Sequence, residues 1–146
     1  LALRLVREDN TRICAVSCHI KAGETRQHDR TREGQMRQII NAVDSEDQSL
    51  MIIIGGDLNS DRSLTSMYGL SSGHSPRALK MLEENGYSCN DDKTKTYFGW
   101  SHLKFDYVYY KHCAVSMPHR AEPLHKPGPN EIEPSDHTAL TVSLTR

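Results

Sequence analysis

The sequence predicts one α/β or α+β domain, on three observations. Short alternating or β-branched runs read as strands, an amphipathic stretch among them reads as a helix, and a compact apolar block reads as a central strand. Leu3 and Leu5 alternate with Arg4, polar Glu8-Asp9-Asn10 follows, and Arg12 to Cys18 is a second apolar run, so the chain opens with a hairpin. From Arg30 to Val43, residues Met36, Ile39, Ile40 and Val43 recur at helical spacing, which predicts a helix with Arg32, Glu33, Arg37 and Gln38 on an exposed polar face. Asp44 to Asp47 is a loop by composition. The block Leu50-Met51-Ile52-Ile53-Ile54 is too short for a helix and ends at Gly55-Gly56, the pattern of a strand buried on both faces. Ser75 as N-cap and Pro76 at the first helical position open a short helix striped by Ala78, Leu79 and Leu82 and closed by Asn85-Gly86. Phe105 to Tyr110, Cys113 to Met117 and the alternating Leu140, Val142 and Leu144 are three more strands, with Pro118 to Pro134 as a long loop.

Composition sets bounds without naming a partner. In 146 residues, 18 Lys and Arg stand against 19 Asp and Glu for a net charge of −1, so there is no charge excess of the kind that marks a disordered tail. The five-residue apolar block is far short of the roughly 20 residues a membrane span needs. Four cysteines, Cys14, Cys18, Cys89 and Cys113, form no CxxC pair and no zinc-type spacing. Cys14 and Cys18 on one strand would lie about 13 Å apart, beyond bridging distance. Reduced thiols and an intracellular location are expected, the cytoplasm first, with nucleus or mitochondrion open. The opening Leu1-Ala2-Leu3-Arg4-Leu5-Val6, without an initiator Met or signal peptide, leads us to expect a piece of a longer chain.

Polar chemistry concentrates at predicted strand ends. Gly55-Gly56-Asp57-Leu58-Asn59 follows the buried strand; its glycines permit a sharp turn, while Asp57 and Asn59 present a carboxylate and an amide to one small volume. A plain turn explains the same residues. Pro134-Ser135-Asp136-His137-Thr138 precedes the last strand, with Asp136 suited to a hard cation and His137 to a proton, unless the pair is an accidental surface dipeptide. Asp106, among Phe105, Tyr107 and Val108, either pairs with a cation such as an imidazolium or faces solvent on an edge strand. His19 ends the second strand in Cys18-His19-Ile20-Lys21-Ala22. Histidines 28, 74, 102, 112, 119 and 125 have no such context and read as loop or surface residues.

In chain order, His19-Ile20-Lys21-Ala22, Gly56-Asp57-Leu58-Asn59, Asp106-Tyr107-Val108 and Ser135-Asp136-His137, the four clusters resemble the endonuclease/exonuclease/phosphatase superfamily. Gly56-Asp57-Leu58-Asn59-Ser60 with Ser63 and Tyr68, Lys104-Phe105-Asp106-Tyr107-Val108, Pro134-Ser135-Asp136-His137-Thr138, and His19-Ile20-Lys21-Ala22 followed by Arg32 and Gln35 are most similar to one branch. That branch holds the carbon-catabolite-repressor-type deadenylases, nocturnin, Angel and the 2′-phosphodiesterases. The Trp-Cys-Asp-Arg form of the third cluster expected of inositol polyphosphate 5-phosphatases is absent.

The resemblance implies that residues 1–146 are the C-terminal portion of one domain, a four-layer α/β/β/α sandwich of the deoxyribonuclease-like type whose N-terminal portion lies outside this chain. It implies a phosphodiester hydrolase using Mg²⁺, or Mn²⁺, and acting on RNA 3′ ends such as a poly(A) tail. Asp136 would be a metal ligand, Asp57 would orient or deprotonate the attacking water, and Asn59 and His19 would hold phosphate oxygens. His137, oriented by Asp106, would be a general base or a cationic phosphate clamp. A further Glu ligand and an Asn are expected before Leu1; Glu8 and Glu24 do not substitute for them, and the chain alone is expected to be inactive. Other readings keep the chemistry on a nucleotide cofactor, a 2′,5′-oligonucleotide or DNA, or make the chain a degenerate binding module. Tyr97, Phe98 and Trp100, with Lys93, Lys95 and His102, form either a stacking edge for bases or packing on the sheet rim.

Overall fold

The computed structural model describes residues 2–45, 50–62, 74–89, 95–97, 103–122, 135–137 and 139–145, with backbone alone for 117–122 and 139. In chain order the elements are β1 (Ala2–Val6), β2 (Arg12–His19), α1 (Arg26–Asp44), β3 (Met51–Asp57), α2 (Arg77–Glu84), β4 (Ser88–Cys89), β5 (Asp106–Lys111), β6 (Ala114–Glu122) and β7 (Ala139–Thr145). Five strands form a mixed sheet in the order β1-β2-β3-β5-β4, and β6 and β7 pair as a separate ribbon. The opening hairpin and the central position of β3 follow the sequence reading. Parallel pairing of β2 with β3 is made possible by α1, which carries the chain back across the sheet.

Strand pleating divides the sheet into two faces. Cys14, Ile52, Ile54, Tyr107 and Tyr109 are buried toward α1 and α2, where Met36, Ile40, Val43, Ala78, Leu79 and Leu82 complete one core. The other face carries Leu3, Ala15, Ile53 and Val108, which with Leu140 and Val142 of β7 line an open groove of about 520 Å³. Leu3 and Leu5 there remain 49% exposed.

Several local expectations are corrected. α1 begins at Arg26, capped by Thr25, whose Oγ1 accepts the His28 N–H while His28 Nδ1 accepts the Thr25 N–H. Arg32 is 1% exposed and not on a solvated face; it donates to the carbonyls of Lys21 and Gly23 and to Asp29 Oδ1, so local carbonyls and a carboxylate engage both terminal nitrogens of the buried guanidinium. Pro76 is the N-cap of α2 and Arg77 its first residue, one position later than predicted. β6 runs through Pro118 to Glu122, shortening the predicted loop. Proline lacks the ladder donor, and the irregular pairing between Met117 and Arg120 accommodates it. Short β4 carries no periodic signal.

Candidate active site

The pairing register assembles three of the predicted residues in one row. His19 ends β2 directly opposite Asp57, which ends β3, and Asp57 stands opposite Asp106, which starts β5. Their side chains therefore share the face away from the helices, at one rim; a one-residue slip of β3 would turn Asp57 into the helix-side core. Gly56 allows this arrangement. Its φ is +133° and a Cβ there would lie 2.0 Å from the Cys18 carbonyl, so only glycine fits beside β2.

Asp57 divides its two oxygens. Oδ1 accepts the N–H of Asn59 at 2.8 Å, closing a tight turn, while Oδ2 faces His19 Nε2 at 3.5 Å and His137 Nε2 at 3.9 Å. Burial raises its pKa, the Asn59 N–H opposes this, the Asp106 charge raises it further, and the two imidazoles lower it; the net direction is upward. Asn59 is buried with a left-handed φ of +43° and donates its Nδ2 to the Ile20 carbonyl at 3.0 Å.

His137 enters from outside the sheet through an isolated bridge with Tyr97, and its N–H donates to Ser135 Oγ at 3.0 Å. Its Nδ1 stands 2.7 Å from Asp106 Oδ2. Burial would lower its pKa, but the hydrogen bond and charge of Asp106, with Asp57 and Asp136 nearby, outweigh it and raise the value. Thr96, fully buried, accepts the N–H groups of Phe105 and Asp106, fixing the start of β5. Asp136 stands at the rim, its side chain 65% exposed and its Oδ1 3.9 Å from His137 Nε2.

The structure thus brings His19, Asp57, Asn59, Asp106 and His137 to one place, with Asp136 at its margin. A cavity of about 450 Å³ opens there. Its wall includes two residues that sequence reasoning set aside. Glu24 follows β2, and His74 precedes α2; no spacing pattern links either to the clusters. Tyr97 packs at this rim, its ring 5.2 Å from Phe105 and 5.1 Å from His137, whereas Lys95 is exposed. Ser63, Tyr68, Lys93, Phe98, Trp100, His102, Pro134 and Thr138 lie outside the described residues.

Among the described residues, no group of three or more His, Cys, Asp or Glu is placed to hold a metal ion. Asp57 and Asp136 are oxygen donors of the kind a hard cation takes, but these side chains do not close a metal centre by themselves. All four cysteines are free. No helix among the described residues is long and apolar enough to cross a membrane.

Compared with known protein families and with curated protein sequences, the chain matches none. Solved structures do match. An endonuclease/exonuclease/phosphatase from Beutenbergia cavernae superposes with a TM-score of 0.70 at 14% identity, over 98% of this chain and 38% of that one. The human nocturnin catalytic domain gives 0.65 at 16% identity over 99% and 51%, and a truncated Caenorhabditis elegans TDP2 gives 0.63 at 18% identity over 95% and 56%. This chain therefore spans roughly two fifths to just over half of these relatives, and within that span it has the endonuclease/exonuclease/phosphatase fold.

Proposed function

We propose that the chain carries the catalytic rim of a phosphodiester hydrolase, one that removes nucleotides from RNA 3′ ends such as a poly(A) tail. The observation that carries this reading is His137, held by Asp106 at 2.7 Å with its other nitrogen 3.9 Å from Asp57, beside a cavity that His19, Asp57, Asn59 and His137 line. Asp57 Oδ2 orients or deprotonates the attacking water, for which a raised pKa makes it a stronger base than a free carboxylate. The second N–H of the Asn59 amide, beyond the one bonded to Ile20, reaches a phosphate oxygen. His19 and His137 donate to the oxygens on which negative charge grows.

On this reading Asp136, with a carboxylate from outside the described residues, would hold Mg²⁺ or Mn²⁺, which would supply Lewis-acid polarisation of the phosphate. Residues 1–146 form the C-terminal portion of a four-layer sandwich, and the half-open apolar face around Leu3, Leu5 and Ile53 receives the remaining sheet. The free thiols support an intracellular location. A cavity of about 450 Å³ also suits a single nucleotide, which supports a nucleotide cofactor or 2′,5′-oligonucleotide as the second reading.

Incubating the complete protein with Mg²⁺ and labelled poly(A), duplex DNA or a dinucleotide tests this. Shortening of poly(A) that Asp57→Ala abolishes is expected. Cleavage of DNA alone would overturn the RNA assignment, and no cleavage of any substrate would favour a binding module. The 146-residue chain by itself is expected to show little or no activity; measurable cleavage by it, lost in Asp57→Ala, would overturn the need for a further carboxylate.

A further inference from the structure

His74 has no motif around it in the sequence, yet the fold ties it down on both sides. Its carbonyl accepts the Asp61 N–H at 3.1 Å, and the next residue, Ser75, donates its N–H at 3.1 Å to Asp29 Oδ1, the oxygen that also receives buried Arg32. The imidazole packs on Phe105 with ring centroids 4.7 Å apart and lines the cavity. Its Nδ1 lies 2.9 Å from the carbonyl oxygen of Asn59. A carbonyl oxygen only accepts, so Nδ1 must carry the hydrogen whether the ring is neutral or charged.

Asn59 is where such a contact has consequences. A φ of +43° is costly for a residue with a side chain and persists only when its surroundings fix it. Three contacts do so: its N–H on Asp57 Oδ1, its Nδ2 on the Ile20 carbonyl, and its carbonyl on His74. We propose that His74 is a positioning residue, which locks the left-handed turn at Asn59 and so sets the Asn59 amide against the Asp57 carboxylate. Its kinetic consequence rests on the phosphodiesterase reading above, whereas its geometric consequence does not.

Two measurements on the complete protein test this. In ¹⁵N NMR at a pH where the ring is neutral, His74 is expected as the Nδ1–H tautomer; an Nε2–H tautomer overturns the proposal, and this readout decides it even if the protein cleaves nothing. In poly(A) hydrolysis, His74→Ala is expected to lower kcat about 10- to 100-fold, the scale of a misplaced contact group. His74→Asn, whose amide nitrogen falls near Nδ1, is expected to restore most of the rate, whereas His74→Gln, whose amide falls near Nε2, is not. Rescue by Gln in place of Asn, or an Ala variant with unchanged kcat, would overturn the positioning role.

Discussion

The Nδ1 of His137 lies 2.7 Å from the Oδ2 of Asp106, a residue 31 positions earlier. That contact raises the imidazole's pKa against the opposing pull of burial. Because the folded value exceeds the unfolded one, the pair's stabilisation is fully present below the ordinary imidazole value and is lost as pH rises through the raised folded value. Asp106→Asn is expected to lower the His137 pKa and to remove that pH-dependent part of the stability. An NMR titration of His137 that is unchanged in the variant would refute the coupling.

Gly56→Ala is expected to destabilise the fold by at least about 2 kcal/mol, since the new Cβ meets a backbone carbonyl at 2.0 Å and φ is +133°. Urea denaturation measures this. By contrast, Gly34→Ala on α1, where an added Cβ meets nothing within 4 Å, is expected to be neutral or stabilising by up to about 1 kcal/mol.

Arg32→Ala is expected to cost about 3 to 5 kcal/mol, because it removes a buried guanidinium from the part-buried Asp29 carboxylate, which keeps only the Ser75 N–H among the described residues, and takes the donor from two carbonyls. Arg32→Lys should recover part of this and no more, as an ammonium cannot fork to several acceptors along fixed directions. Equal stability of the Lys variant and the natural protein in thermal melts would contradict the account.

Cys18 is expected to resist alkylation. Burial first, with the Asp57 charge adding to it, pushes its thiol up to about 11, and its Sγ–H donates to the Gly55 carbonyl. At pH 8 about one molecule in a thousand would carry the thiolate, against about a quarter for a free cysteine. Iodoacetamide should therefore react at least about 100-fold more slowly than with a free thiol. The linkage has the same sign as that of His137: Cys18 is neutral to stability below the ordinary thiol value and destabilises the fold increasingly from there to about pH 11, because the unfolded chain loses its proton first. Peptide mapping after alkylation across pH checks the rate.

Much of the fold and the ordered polar clusters were legible in the sequence because they are local patterns. Alternation in Phe105 to Tyr110, the helical spacing of Met36, Ile39, Ile40 and Val43, and the Gly-Gly-Asp turn each depend on neighbours within a few residues, where strand and helix periods act directly. The order of the clusters suggested a shared site but gave no distances. Pairing register alone placed His19, Asp57 and Asp106 in one row, because which residues of separate strands face each other is settled by hydrogen bonding across the sheet. The fate of Arg32 and His74 was likewise decided in three dimensions. An arginine on a helical wheel reads as solvated until loop carbonyls and Asp29 close around it, and a histidine in a loop carries no local mark of the carbonyl it will meet. Periodicity reports which side of an element turns inward; only packing fixes what waits there.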